Sequence, residues 1–472
     1  MIGRKREREI LQKALDSKES ELIAVIGRRR VGKTYLVNEF FKGRIAFAMT
    51  GLPNGSKEEQ LRNFTYSLKD AVDGNALPPV PKDWLEAFHM LKEHLEAIGS
   101  KEKRVVFIDE LPWVATSRSG FLTGFSYFWN SYAARENIVV VVCGSATAWM
   151  IKKIIRNKKG LHNRVTRQIT LAPFSLTETE AFLKSTGNHL DRYQILQLYM
   201  AMGGIPYYLK QVEKGKSAVQ NIDTICFHPQ GPLRKEFGDL YRSLFTHPEG
   251  YEAIIRALAT KWKGLNRQEI VEATRLTDGG TFSKMLMELE QSGFITAYVP
   301  FQKKKKDTIY RLTDNYSLFY LKFIQVLPAN ASASWNTLSQ TQTWKSWSGY
   351  AFENICLQHI GKIKEALGIS GIHSQHYSYL AKGTNEQEGF QIDLLIDRAD
   401  NSISICEVKF YGEEMILTKA LLEKLRKQRS LFRHRTKTKK TLFSVLISTY
   451  GLASPEASVG QIDQVITMED LF

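Results

Sequence analysis

Short apolar, β-branched runs punctuate the first third of the chain. Leu22 to Gly27, Ile45 to Met49, Val105 to Asp109 and Ile138 to Cys143 are almost continuously apolar, which predicts parallel strands buried on both faces by the helical patterns between them. From about Leu171 apolar positions recur at helical spacing over Ser175 to Lys184, with Thr177 as the cap, and over Gln194 to Met202, stopping at Gly203-Gly204-Ile205-Pro206. This predicts a small helical lid. Helices are then expected at Gly250 to Lys261, at Arg267 to Thr274 behind the cap Asn266, and at Thr281 to Ser292, followed by strands Phe294 to Pro300 and Thr308 to Leu312. Three helices and a hairpin carrying Lys303 to Lys306 predict a winged helix. Ala329 to Gln342, rich in Ser, Thr and Asn, reads as a linker. A helix over Gly349 to Gly361, strands Phe390 to Ile396 and Ser402 to Lys409, a helix from about Glu414 to Phe432 and a strand Leu442 to Ser448 make a second α/β unit. The expected organisation is a core over 1–170, a lid over 171–240, a winged helix over 241–328, a linker over 329–345 and a last domain over 346–472, with no internal repeat.

Composition changes this picture little. With 472 residues and 43% hydrophobic positions the chain is long enough for several cores, and 32 glycines and 13 prolines exclude a collagen-like or low-complexity chain. The longest apolar run, from Ile138 to about Met150, is shorter than the ~18–20 residues of a membrane span, and the charged start lacks a signal peptide's apolar stretch. Cys143, Cys226, Cys356 and Cys406 form no CxxC pair and read as reduced core residues, so a cytoplasmic location is expected. The 65 basic and 49 acidic residues leave a net charge of +16, which favours a polyanionic partner only if the charge clusters.

The chemistry begins at Gly27-Arg28-Arg29-Arg30-Val31-Gly32-Lys33-Thr34, a complete GxxxxGK[ST] motif between a strand and the helix Tyr35 to Phe41. Its backbone N–H groups wrap phosphates, Lys33 reaches the β and γ phosphates, and the Thr34 hydroxyl holds Mg²⁺. Gly27, Arg30, Gly32 and Tyr35 complete the expected ATP contacts. The strand Val105 to Asp109 ends in Asp109, expected to hold Mg²⁺ through water, and Glu110, expected to polarise the attacking water. Ser145 either senses the γ phosphate or is only a turn residue after Gly144.

With these residues the chain resembles the archaeal-type ATPases of the AAA+/STAND branch of P-loop NTPases. The likeness rests on Ile2-Gly3-Arg4 with Glu7, the Gly-Arg-Arg-Arg-Val-Gly-Lys-Thr loop, Phe107-Ile-Asp-Glu110, Cys143-Gly-Ser145, Leu171-Ala-Pro-Phe-Ser175 and Gly203-Gly-Ile-Pro206. It implies a nucleotide-sensing role for Arg164 and an approach of Pro206 to the adenine. Asn163 departs from the pattern, standing where many members have Gly.

In the last domain Asp393 and Glu407 lie on neighbouring apolar strands, and Glu407 and Lys409, two residues apart, share a face. Carboxylates that bind Mg²⁺ beside a lysine that positions a hydroxide suit phosphodiester hydrolysis, and Glu353 would add a third carboxylate. The pattern Glu…Asp…Glu-x-Lys resembles the PD-(D/E)XK nuclease superfamily, with Ile392 in place of the proline, and implies a restriction-endonuclease-like α/β fold. A cross-strand salt bridge, or a fold kept for binding without cutting, remains open at this point. Lys303 to Lys306 at the wing tip, and the run Arg426, Lys427, Arg429, Arg433, Arg435, Lys437, Lys439 and Lys440, are the expected DNA contacts, although Glu288 and Glu290 on the expected recognition helix weaken base readout.

The expectation is therefore an α/β multidomain ATPase that uses ATP and Mg²⁺, binds duplex or branched DNA and gates a nuclease-like domain. A protein partner or self-association is left open, and no membrane is expected. The alternative is an ATP-dependent switch or a DNA binder whose last domain only docks a partner.

Overall fold

A computed structural model describes residues 1–72, 76–99, 102–157, 160–327, 334–381, 383, 389–454, 458 and 460–472. The chain divides into two compact units, each described by itself. The first comprises Met1–Pro173 with Ser243–Thr246 and Leu286–Gly293. Its centre is a five-stranded parallel sheet of β1 (Glu21–Ile26), β2 (Ile45–Thr50), β3 (Arg104–Asp109), β4 (Ile138–Gly144) and β5 (Arg167–Thr170) in the order β2-β3-β4-β1-β5. All of β1 and β4 is buried, as apolar strands covered on both faces must be. Phe64, Trp84, Phe88, Phe121, Phe125 and Phe128 build most of an aromatic layer in this core, with Trp84 meeting Phe121 edge to face at 4.7 Å.

The order puts β4 between β1 and β3, so the turn after β4 lies between those ending β1 and β3. Ligands of such sheets bind beyond the carboxyl ends of the strands. The four strands expected from the sequence are all present. β5 was not expected, because four residues with one apolar position among them carry little pattern.

The second unit comprises Phe174–Arg242, His247–Met285 and Phe294–Phe472. It opens on the helices Leu176–Ser185 and Arg192–Met202. The first is capped by Ser175, not Thr177: the Ser175 hydroxyl accepts from the Glu178 N–H while the Glu178 carboxylate accepts from the Ser175 N–H, two helix-end donors satisfied together. The Thr177 hydroxyl is turned instead to the Phe472 carbonyl. After the second helix the chain reverses at Gly203 (φ 63°). Gly204 lies flat against Phe174, whose N–H donates to the Gly204 carbonyl at 2.6 Å, and a Cβ on Gly204 would overlap the Phe174 backbone. Gly204→Ala is expected to destabilise the protein by about 2–4 kcal/mol, read as a lower midpoint in urea at unchanged slope.

Helices Pro248–Ala259 and Arg267–Thr274 follow, with Gly280–Gln291, whose end from Leu286 is grouped with the first unit, and an antiparallel sheet in the order β6-β8-β7 of β6 (Leu265–Asn266), β7 (Ile295–Tyr298) and β8 (Ile309–Leu312). Asn266 caps its helix in a full capping box. Residues 329–333 of the expected linker lie outside the described residues. From Ser334 the rest is packed structure: Trp335 is buried and stacks on Phe227 at 5.2 Å and edge-on to Trp344 at 5.0 Å. Polar neighbours hid one large aromatic anchor.

The C-terminal sheet runs β13-β12-β11-β10-β9, with β9 (Ser374–Ala381), β10 (Phe390–Arg398), β11 (Ser402–Lys409), β12 (Thr441–Ser448) and β13 (Gln464–Ile466). β9, β10 and β11 are antiparallel neighbours, and β12 joins β11 in parallel through the helix Lys419–Thr436, the crossover a parallel pair requires. The helix Gln342–Gln358 precedes the sheet and ends at His359.

His359 is buried. Its Nε2 accepts from the Leu176 N–H at 3.1 Å, and its Nδ1 is 2.9 Å from the Ile355 carbonyl, an arrangement only the neutral Nδ1–H tautomer satisfies. Burial holds its pKa below the ordinary histidine value. The unfolded chain then binds the extra proton first, so stability falls as the pH drops below about 6.5, by at most about 1.4 kcal/mol per pH unit. Thermal midpoints between pH 7.5 and 5.5 should fall less steeply for His359→Gln than for the wild type.

Candidate functional site

The P-loop is built by strain that only particular residues tolerate. Gly27 (φ 151°) and Gly32 (φ 91°) take backbone shapes that favour glycine, and a Cβ on Gly27 would run into the Leu171 carbonyl. Arg30 also has a positive φ, 70°. Arg4 braces the loop from outside: its guanidinium donates to the Ala172 carbonyl at 2.7 Å and to the Val31 carbonyl at 3.1 Å. The helix Lys33–Phe40 starts directly at the loop with no side-chain cap, leaving its first N–H groups for a ligand.

Lys33 is 5% exposed and its ammonium donates to the Gly27 and Arg28 carbonyls at 3.0 and 3.1 Å. Burial lowers its pKa, with Glu110 and Asp109 opposing. The Thr34 hydroxyl donates to Asp109 Oδ2 at 2.6 Å, and the Glu110 N–H donates to Asp109 Oδ1 at 2.9 Å. Burial nevertheless raises the Asp109 pKa, the condition a divalent cation beside it would relieve. The Thr34 and Asp109 oxygens therefore suit Mg²⁺. Glu110 sits in a left-handed turn (φ 45°) after β3, and its Oε2 accepts from the Ser145 hydroxyl at 2.8 Å and the Ser145 N–H at 3.2 Å. Thus Ser145 is more than a turn residue: it holds the candidate general base. Tyr35 lies exposed on the first turn of the helix.

Two expected nucleotide contacts are not brought to this cluster within its own unit. Arg164 lies before β5, whose residues pair in parallel with β1 from Ile23↔Arg167 to Ile26↔Thr170. It is therefore at the edge where the strands begin, roughly 15–20 Å along them from the P-loop, and lines a cavity with Lys18, Glu19, Arg135 and Asn163. Sensing of its own chain's nucleotide by Arg164 is corrected on that ground. Asn163 has φ 52°, which explains an Asn where glycine is common, since Asn is among the residues that tolerate this region best. Pro206 begins the short helix Pro206–Leu209 of the second unit.

The second cluster lies within the second unit. The register Leu394↔Cys406 carries Asp393 opposite Glu407, so both carboxylates face the same side. Asp393 Oδ2 accepts from the Val408 N–H at 3.1 Å, and Glu407 Oε1 accepts from Lys409 Nζ at 2.5 Å and also from Lys424. Gln428 donates to Glu407 Oε2 at 3.4 Å. Burial works to raise the Glu407 carboxyl, but Lys409 and Lys424 outweigh it and hold it below the usual range. Burial and then Glu407 raise Asp393. Burial and then Asp393 push Glu353 up to about 8.

Among the described residues no three His, Cys, Asp or Glu stand close enough to hold one ion, so the expected three-carboxylate cage of Glu353, Asp393 and Glu407 is not formed here. Amino groups and backbone N–H donors occupy the oxygens instead. Asp393 and Glu407 still form a buried, mutually repelling pair whose oxygens suit a divalent cation. Lys424 and Gln428 were missed in the sequence; their spacing of four, on the helix after the Glu-x-Lys strand, puts them on one face.

The surface charge is less uniform than its composition. Lys303 to Lys306 are exposed. In the helix and turn after β11, however, Arg426 donates to Gln461 at 2.7 Å and Lys440 pairs with Asp397 at 2.5 Å. All four cysteines are buried and free. No helix among the described residues is long and apolar enough to cross a membrane.

Residues 2–212 match the family model of an ATPase domain predominantly from Archaea. An uncharacterized protein of Methanocaldococcus jannaschii is 22% identical over 418 residues, covering 87% of each chain. A Walker-type ATPase of Pyrococcus abyssi superposes with a TM-score of 0.50 at 18% identity, over 68% of this chain and 96% of that one, a likeness of fold. The Aeropyrum pernix ORC2 protein, in its ADPNP-ADP complexes, gives a TM-score of 0.41 at 14% identity, over 67% of this chain and 92% of its own. The P-loop geometry and the matched domain together support ATP binding and hydrolysis.

Proposed function

We propose that this protein is an Mg²⁺-dependent ATPase whose last domain is a nuclease of the Glu…Asp…Glu-x-Lys type acting on DNA. The observation that carries the nuclease part is Asp393 facing Glu407 across two antiparallel strands, with Lys409 two residues further on. The arrangement of three antiparallel strands, a crossover helix and a parallel strand supports it. At the P-loop, Lys33 exchanges its carbonyl acceptors for phosphate oxygens, Thr34 and Asp109 hold the cation, and Glu110 takes a proton from water once Ser145 releases it. At the second site Asp393 and Glu407 would hold Mg²⁺ while Lys409 orients the attacking hydroxide. A bound cation there supplies neutralisation of the charge that develops on the scissile phosphate. The helices over 248–291 and the hairpin β7–β8 with Lys303 to Lys306 form a winged helix that grips the DNA backbone in this reading.

A second reading is favoured by the missing cage: Glu407 is already neutralised by Lys409 and Lys424. In it the domain docks DNA or a protein partner without cutting, and ATP works a switch. Incubation of the full chain with single-stranded, duplex and branched DNA, with Mg²⁺ and with or without ATP, separates the two. Cleavage supports the first reading, and intact DNA in every arm supports the second.

A further inference from the structure

Arg311 stands on β8, paired across the hairpin with Thr296. It is 6% exposed, and its guanidinium makes no hydrogen bond or ion pair with any described residue. The carboxylates it senses, Glu353 and Asp393, are not in contact with it. A buried guanidinium stays charged, because it does not release its proton at any pH a protein meets, and its burial remains costly while Glu353 and Asp393 act on it only at a distance. Such a group persists where something else supplies the negative charge.

The surroundings say what that is. Arg311 lines a cavity of about 120 Å³ within the second unit, large enough for one tetrahedral oxyanion. Beside the apolar Leu357 and Tyr377, its wall carries polar groups: the Thr296 and Thr313 hydroxyls, 3.3 Å apart, the Gln358 amide and His376. Burial holds His376 below its ordinary pKa, so at neutral pH the ring keeps one N–H. No carboxylate lines the cavity. Donors gathered around an uncompensated fork of N–H groups suit the oxygens of a phosphate.

We propose that this cavity is a phosphate-binding site, with Arg311 at its base and Thr296 at its mouth. The phosphate is either inorganic, the product released at the P-loop, or the terminal phosphate of a nucleic-acid strand. Binding at Arg311 does not depend on whether Asp393 and Glu407 cut anything.

The test uses the full chain with Lys33→Ala, which removes phosphate binding at the P-loop. Thermal midpoints and calorimetric titrations are measured with inorganic phosphate and with a short oligonucleotide carrying or lacking a 5′-phosphate. Phosphate is expected to raise the midpoint of Lys33→Ala and to bind at least about tenfold more weakly when Arg311→Met is added. In phosphate-free buffer Arg311→Met should be as stable as its parent or more so, because an uncompensated charge is gone. Should that variant fail to fold, Thr296→Phe, which closes the mouth and leaves the charge, must abolish the same response. A difference seen only with the 5′-phosphorylated strand assigns the site to nucleic acid, and a difference with inorganic phosphate assigns it to the free ion. Equal responses with and without Arg311 or an open mouth, for every probe, would overturn the proposal.

Discussion

Lys33→Ala and Glu110→Gln each lower ATP turnover by at least about a hundredfold, and by different routes. Lys33→Ala removes the one ammonium buried in the loop and so weakens nucleotide binding as well. Glu110→Gln keeps the shape of the side chain, keeps an oxygen for the Ser145 N–H and hydroxyl, and removes the proton acceptor. It should bind ATP as tightly as the wild type while releasing almost no phosphate. Phosphate release and nucleotide titration on the same preparations give both readouts. Ser145→Ala should slow turnover less, by about tenfold, because it frees Glu110 while losing its alignment. Turnover near the wild-type rate in both Lys33→Ala and Glu110→Gln would remove the assignment of the site.

The second large effect is at the other cluster. Where the wild type cleaves DNA with Mg²⁺, Asp393→Asn and Lys409→Ala should each reduce cleavage by at least about a hundredfold, with ATP turnover unaffected. Loss of fold does not explain such a result for Asp393→Asn. The carboxylate is held above its ordinary pKa by burial and by Glu407, so its charge destabilises the folded chain at neutral pH, and an amide oxygen can still accept the Val408 N–H. The thermal midpoint should therefore be unchanged or raised. A wild type that cuts no substrate moves the conclusion to docking, and Asp393→Asn then serves as a probe of partner affinity.

What could be read without coordinates divides by range along the chain. The P-loop was legible in full, because eight consecutive residues and the strand and helix around them carry all of its chemistry. Asp109 and Glu110 were legible because an apolar strand ending in two acids is itself a local pattern. The strand pair bearing Asp393, Glu407 and Lys409 emerged from its apolar runs and from the two-residue spacing of Glu407 and Lys409. β9 and β13 were hidden: β9 is partly exposed along most of its length, and β13 has three residues, so neither shows an apolar alternation. The buried Trp335 disappeared among serines and asparagines. Arg164 went astray for a different reason: its sensing role was implied by the resemblance, from its place before Leu171-Ala-Pro-Phe-Ser175, and that place does not say at which end of the sheet the residue stands. Lys424, 17 positions from Glu407, and Arg311, the base of the phosphate cavity, depend on how separate elements meet, which no window of sequence contains.

The two carbonyls that hold Lys33 have a further consequence. In the proposed nucleotide-bound state Lys33 would trade the Gly27 and Arg28 carbonyls for phosphate oxygens, so these carbonyls would compete with the nucleotide for its ammonium. The apparent affinity for ATP is then the intrinsic one scaled by the fraction of molecules whose lysine has let go. A few tenths of a kcal/mol in that local equilibrium resets the nucleotide concentration at which the protein responds, without any change in the groups that touch ATP.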